Sequence, residues 1–202
     1  MEDTAGKLKS KESRLNLRIL IKSPNWIGDV VMSIPAINEL RRLYPDSYIA
    51  VLIKQELVDL LANNPAINEV LPYKEEKGLK KLSMIGRLRR MIRTGNFDTA
   101  ILFPNSFSSA LIAFLAGIPC RVGYGSDGRS PLLTNPIKVK DENKSIHQTC
   151  IYLNLIRSLA DVAVSEEMPR PEIYINEVDR EWAVNLVKEK IKKGKYLIGI
   201  NP

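Results

Sequence analysis

Histidine and cysteine are nearly missing from this chain: one of the first, His147, and two of the second, Cys120 and Cys150, in 202 residues. The cysteines form no CxxC pair, which argues against a disulfide framework or a zinc site and fits a reducing compartment. A lone histidine cannot build a His-based metal cluster. Long apolar runs are missing too. The longest, ALIAFLAGIPC (Ala110 to Cys120), is closed by Gly117 and Pro119 and falls short of the ~18–20 residues that a bilayer span requires. The opening MEDTAGKLKSKESRLN has no apolar core of the kind a secretory signal needs, so residues 1–17 are expected to be a flexible polar leader.

Acidic residues are in deficit, 23 against 30 Lys and Arg, for a net charge of +7 and a pI near 9.4. That balance suits anionic partners such as nucleic acid, a phosphorylated glycolipid or an acidic membrane surface, and does not choose among them. With 45% hydrophobic and 26% charged residues, the composition is that of an ordinary globular protein, long enough for one good domain and the start of another.

What is present is an alternation of strand-like and helix-like segments from Arg18 onward. RILIKS (Arg18 to Ser23), YIAVLIK (Tyr48 to Lys54), NEVLPY (Asn68 to Tyr73), DTAILFP (Asp98 to Pro104) and CRVGYG (Cys120 to Gly125) read as strands. Between them VVMSIPAINELRRL, QELVDLLAN, GLKKLSMIGRLRRMIRTG and Ser106 to Ala116 read as helices, the third closed by Gly95. This order predicts an α/β fold, a Rossmann-like parallel sheet with helices on both faces. Right-handed crossovers then bring the strand-to-helix loops Pro24 to Asp29 and Pro104 to Ser106 onto one crevice.

The later third is less regular. SDGRSPLLTNP (Ser126 to Pro136) reads as a loop over the crevice, Ser145 to Ala160 as a helix, PRPEIYI as a linker with a short strand, and DREWAVNLVKEKIKKG as a helix ended by Gly194. KYLIGINP looks like a new buried strand. The expected division is a leader (1–17), a Rossmann-like domain (18–176), and a linker helix with the first strand of a second domain (177–202).

The first loop, SPNWIGDVV, carries one glycine, Gly28. It therefore lacks the G-x-G-x-x-G turn of dinucleotide binders, and no Walker loop occurs either. Asp29 has two readings there: an N-cap of the following helix, or a general base for a bound hydroxyl. Asn105 and Ser106 are placed to meet sugar hydroxyls or simply to cap the next helix. Arg121 is either a bidentate partner for a phosphate or carboxylate or a solvated edge charge, and Lys54 is a weaker candidate of that kind. His147 reads as structural or exposed before catalytic, and Trp26 as packed against the first helix before stacking on a sugar near the cleft. From Lys74 to Arg93 the chain carries eight Lys or Arg and two Glu, with Leu82, Ile85, Leu88 and Ile92 as an apolar stripe. Such a helix is first a solvated outer face and second a contact for an anionic bilayer.

Two long blocks carry a family resemblance: SPNWIGDVVMSIPAINELRRLYPDSYIAVL and DTAILFPNSFSSALIAFLAGIPCRVGYG. With PLLTN, the helix near His147 and YLIGINP, they resemble the ADP-heptose:lipopolysaccharide heptosyltransferases of glycosyltransferase family 9, most closely the heptosyltransferase II group. The resemblance implies the N-terminal half of a two-domain GT-B fold that receives the lipopolysaccharide inner-core acceptor. A C-terminal domain would hold ADP-heptose, with no metal or other cofactor needed and a cytoplasmic location, peripheral on the inner membrane. It assigns the catalytic base to Asp29 and makes Asn25, Asn105, Ser106, Arg121 and Lys54 candidates for the acceptor. The reading from another class is a non-catalytic basic module for anionic glycolipid or nucleic acid, against which the absence of RNA-stacking motifs counts only in part.

Overall fold

A computed structural model describes residues 16–76, 78, 80–138, 146–160, 169–190 and 198. Six parallel strands form one sheet: β1 (Arg18–Lys22), β2 (Tyr48–Lys54), β3 (Glu69–Tyr73), β4 (Thr99–Leu102), β5 (Cys120–Tyr124) and β6 (Asn135–Ile137), in the order β3-β2-β1-β4-β5-β6. The helices are α1 (Ile27–Leu43), α2 (Lys80–Thr94), α3 (Phe107–Leu115), α4 (Gln148–Ala160) and α5 (Glu177–Lys190).

The side-chain alternation of β1 sorts the two halves of the core. Ile19 and Ile21 point to one face, where Val30, Ile34 and Ile37 of α1 meet Leu155 and Ile156 of α4. Leu20 points to the other, with Ala100 and Leu102 of β4, under Leu88 and Ile92 of α2 and Ala110 and Ala113 of α3. Because both faces are covered, strands such as IAVLI are buried at every position, which is why they read as continuous apolar runs.

Several expectations change. Gln55–Leu60 is a 3-10 turn rather than an α-helix; the Asn64–Pro65 turn, in which the Asn64 side chain accepts from Ala66 N at 2.9 Å, leaves no room for a longer one. The segment expected to be a loop over the crevice ends in β6, which pairs with β5 from Val122↔Asn135 to Tyr124↔Ile137. A three-residue edge strand with Pro136 at its centre carries no strand pattern, and proline is tolerated at such an edge. Residues 169–175 form no strand, since Pro169 and Pro171 remove two ladder donors. In α2 the buried stripe is Met84, Leu88 and Ile92, whereas Leu82 is 72% exposed. Asn96, at φ 47°, rather than Gly95 takes the left-handed turn after this helix. Gly95 is needed for a different reason: a Cβ there would stand 2.3 Å from the Phe97 ring. The helix expected from Asp179 begins at Glu177, where Asn176 Oδ1 accepts from Asp179 N at 2.7 Å. Residues 1–15 of the leader and all of Tyr196–Ile200 except Ile198 lie outside the described residues.

Candidate functional site

The strand order reverses between β1 and β4, which pair directly with Lys22 opposite Leu102. Their chains leave in opposite directions, β1 into α1 on one face and β4 into α3 on the other. A crevice opens outside the carboxyl ends of two such strands, and it is where open α/β sheets hold ligands. Both predicted loops lie on it.

The first loop is pinned from below. Lys22, 6% exposed, donates from Nζ to Ser23 O at 2.6 Å and to Asn25 Oδ1 at 3.1 Å. The Tyr73 hydroxyl, at the end of β3, donates to the same Asn25 oxygen at 3.1 Å, and the Lys22 ammonium lies 4.9 Å from the centre of that ring. Asn25 is thereby oriented, with its NH2 group turned away from these partners. Burial, then repulsion from Lys54, brings the Lys22 ammonium down to about 7, against the attraction of Glu75. Burial first, and then Glu75 and Glu56, push the Tyr73 phenol well above its ordinary range.

Asp29 is not the N-cap. That position belongs to Trp26, whose extended backbone precedes the helix without a side-chain cap bond. Asp29 sits in the first helical turn, where a negative charge complements the helix dipole. Half-buried, it bears electrostatically on Tyr152 of α4, whose phenol is pushed up to about 12, chiefly by burial. The Tyr152 ring packs on Phe103 at 4.9 Å between centroids. Asp29 therefore lies on the α1 side of the crevice, close enough to Tyr152 of α4 to act on its phenol.

The second loop follows β4. Ser106 is the N-cap of α3, its Oγ accepting from Ser109 N at 3.4 Å, so the capping alternative holds for that residue while it still lines the cavity below. Asn105 is exposed. Its Oδ1 accepts from Nη2 of Arg129 at 3.2 Å. Arg129 is fully buried and also donates to Tyr124 O at 2.7 Å, to Ser109 Oγ at 3.2 Å and to Pro104 O. One guanidinium thus ties the end of β5 to the second loop and to α3. Burial lowers it to about 10, with Asp127 opposing. Gly123 makes room for it, since a Cβ there would come within 3.0 Å of Nη2.

A cavity of about 260 Å³ opens beside the crevice, walled by Lys22, Asn25, Tyr73, Ser106, Lys81 and Ile112 among others. Lys54 stands at the same sheet edge, paired with Glu75 at 2.5 Å. Arg121 does not join them. It is the second residue of β5, at the opposite end of the sheet, and donates to Leu132 O at 2.6 Å and Ile118 O at 2.5 Å. The backbone thereby occupies the fork expected to grip an anion. Trp26 is 77% exposed rather than packed. His147 is exposed at the start of α4, where its Nδ1 accepts from Thr149 N at 3.3 Å.

Three residues of this arrangement, Lys22, Tyr73 and Arg129, were not singled out from sequence. Lys22 was signalled: it is a charge two residues beyond Leu20, on a core-facing position of an apolar strand. Arg129, inside the turn Asp127–Gly128–Arg129, carried no such mark. Among the described residues there is no group of three His, Cys, Asp or Glu placed to hold a metal ion. Nor is any helix among them long and apolar enough to cross a membrane.

The chain is similar to lipopolysaccharide heptosyltransferase 2 of Escherichia coli K12, 29% identical over 190 residues that cover 92% of this chain and 54% of the relative. The Salmonella typhimurium protein of the same name is 31% identical over 158 residues, 78% of this chain and 45% of the relative. Among solved structures, E. coli ADP-heptose LPS heptosyltransferase II superposes with a TM-score of 0.70 at 26% identity, covering 88% of this chain and 52% of that one. A family 9 glycosyltransferase from Veillonella parvula has the same fold, with a TM-score of 0.77 at 22% identity, covering 90% of this chain and 52% of its own. The chain spans about half the length of the curated relatives it matches. The profile of glycosyltransferase family 9 (heptosyltransferase) matches residues 85–202, and with that match over more than half its length, this chain belongs to glycosyltransferase family 9.

Proposed function

We propose that this chain is the acceptor side of a heptosyltransferase, the N-terminal half of a GT-B enzyme that moves heptose from ADP-heptose to the inner core of lipopolysaccharide. The observation that carries the reading is the position of Asp29. It is a half-buried carboxylate at the mouth between β1 and β4, in a chain of a family whose members include a solved ADP-heptose LPS heptosyltransferase.

In this reading an acceptor hydroxyl attacks the anomeric carbon of the donor. A C–O bond forms to the acceptor as the bond to ADP breaks, and the hydroxyl proton passes to Asp29. Asn25, Asn105 and Ser106, on the two loops that flank the crevice, would meet hydroxyls of the acceptor, and Arg129 would hold the second loop in place for them. The charge developing on ADP would be met by donors of the second domain, and the reading calls on no metal or other cofactor. The family assignment weighs against a purely binding module. A cytoplasmic protein resting on the anionic inner membrane fits the net charge of +7 and the exposed basic residues of α2.

The test is Asp29→Asn in a chain extended to the length of its relatives. Transfer should fall by ~10²- to 10⁴-fold, the usual worth of a general base, with thermal stability unchanged. Turnover within a few-fold of the parent would remove Asp29 from the chemistry.

A further inference from the structure

The first loop carries an amide that is fixed at one end and unused at the other. Asn25 is half-buried and lines the cavity beside the crevice. Its Oδ1 accepts from Lys22 Nζ and from the Tyr73 hydroxyl, both at 3.1 Å, so both lone pairs of that oxygen are taken. An ammonium can only donate, so the amide cannot be turned end for end while Lys22 is charged. No hydrogen bond among the described residues uses the Asn25 NH2 group.

The grip of Tyr73 comes from far off. This residue ends β3, the outermost strand, level with Lys54 of β2. Two interstrand spacings, about 9–10 Å, separate its backbone from β1, and a phenol is long enough to cover most of that span. Burial, then Glu75 and Glu56, raise the phenol well above its ordinary range, so it stays a donor near neutral pH. Packing alone does not call for the hydroxyl: a phenylalanine would offer Lys22 the same ring face. Among the described residues, the hydroxyl donates to Asn25.

We propose that Tyr73 is a positioning residue: acting through Asn25, it holds the amide with its NH2 group free for the crevice, so that a substrate oxygen is met there by a donor and not by a carbonyl. The inference rests on reading the crevice as the acceptor side. A fixed donor suits an oxygen that has only to accept, such as a hydroxyl or ring oxygen beside the reacting one. It does not suit the attacking hydroxyl, whose lone pair is needed at the anomeric carbon. Such a contact is the same before and during transfer, and it belongs in KM rather than in kcat.

The first measurement is steady-state transfer by a chain extended to the length of its relatives, with ADP-heptose and lipopolysaccharide truncated in its inner core as substrates. Tyr73→Phe should raise the KM for lipopolysaccharide ~2- to 10-fold, the worth of one neutral hydrogen bond, with kcat and the KM for ADP-heptose unchanged. Asn25→Ala should raise the same KM at least as far, and Tyr73→Phe should add nothing in that background. An equal rise with and without Asn25, or a change of the same size in kcat or in the KM for ADP-heptose, would overturn the proposal and leave transfer through Asp29 standing. The second measurement needs no transfer. It follows the side-chain amide resonances of Asn25 in the 202-residue chain, identified by their loss in Asn25→Ala. Taking the hydroxyl away from Oδ1 should shift them and speed their exchange with water. Resonances identical in the parent and in Tyr73→Phe would show that Tyr73 does not hold Asn25 and would overturn the proposal. An extended chain that makes no product, while Tyr73→Phe still moves these resonances, would instead overturn the transferase reading and keep the positioning of Asn25.

Discussion

Replacing Lys22 by methionine should make the protein more stable at neutral and acidic pH, contrary to what removing two hydrogen bonds from a core position would ordinarily do. The ammonium is 6% exposed and its pKa falls from 10.5 to about 7. Because the folded value is depressed, the unfolded chain binds more protons between pH 7 and 10.5, so this residue makes stability rise with pH across that window. At pH 6 a displacement of that size corresponds to about 5 kcal/mol of destabilisation by the buried charge. Against it stand the bonds to Ser23 O and Asn25 Oδ1, together worth about 2 kcal/mol. Methionine has nearly the same length and fills the space without a charge, so Lys22→Met should gain about 3 kcal/mol at pH 6. The unfolded lysine is mostly charged and the folded one neutral at pH 9.5, where the remaining charge cost is about 1 kcal/mol, so the gain should vanish there. Urea unfolding of parent and variant at both pH values, followed by far-ultraviolet circular dichroism, measures the difference. A variant destabilised at pH 6, or a difference between the two proteins that does not change with pH, would refute the reasoning.

Arg129→Met should destabilise the protein in the same unfolding assay, by about 1–3 kcal/mol for each buried carbonyl, Tyr124 O and Pro104 O, that loses its donor; a loss under about 1 kcal/mol in all would show that the loops hold without it. Reversing the charge of three among Lys80, Lys81, Arg87, Arg89, Arg90 and Arg93 should weaken co-sedimentation with anionic vesicles, which should also weaken as salt rises. Arg87, paired with Glu76, and Arg89, bonded to Leu115 O at 2.9 Å, should matter least. Residues 1–202 alone are expected to give no calorimetric heat with ADP-heptose, and measurable heptose transfer by them would show the donor site to be misplaced.

The parallel sheet and the meeting of the two loops were legible because doubly covered strands leave uninterrupted apolar runs and right-handed crossovers fix where their ends lie. The roles of single residues were less so. Asp29 looked like a cap because the helical pattern read from the sequence opens at Val30, directly after it. The helix in fact starts three residues earlier, at Ile27, with Trp26 in a cap position its side chain does not use. Arg121 was misplaced for a reason the sequence did contain: it opens its strand, whereas the crevice lies where strands finish. The β6 segment and the four bonds of Arg129 were beyond reach, since an edge strand of three residues and a buried arginine in a polar turn are defined only by their distant partners.

The pairing of β1 with β4 has a consequence for how the molecule comes into being. The two strands are 80 residues apart at the Arg18–Asp98 contact, and their loops meet only when that gap has been closed. A chain emerging from the ribosome at ~5–20 residues per second would expose β1, with one side satisfied by β2 and the other open, for several seconds before its second neighbour existed. Parallel pairing at such separation is slow and leaves apolar edges uncovered while it waits. The crevice therefore cannot form until β4 and the loop after it have emerged, and substitutions that delay β4 should first appear as lost soluble yield, before any loss of activity in the molecules that do fold.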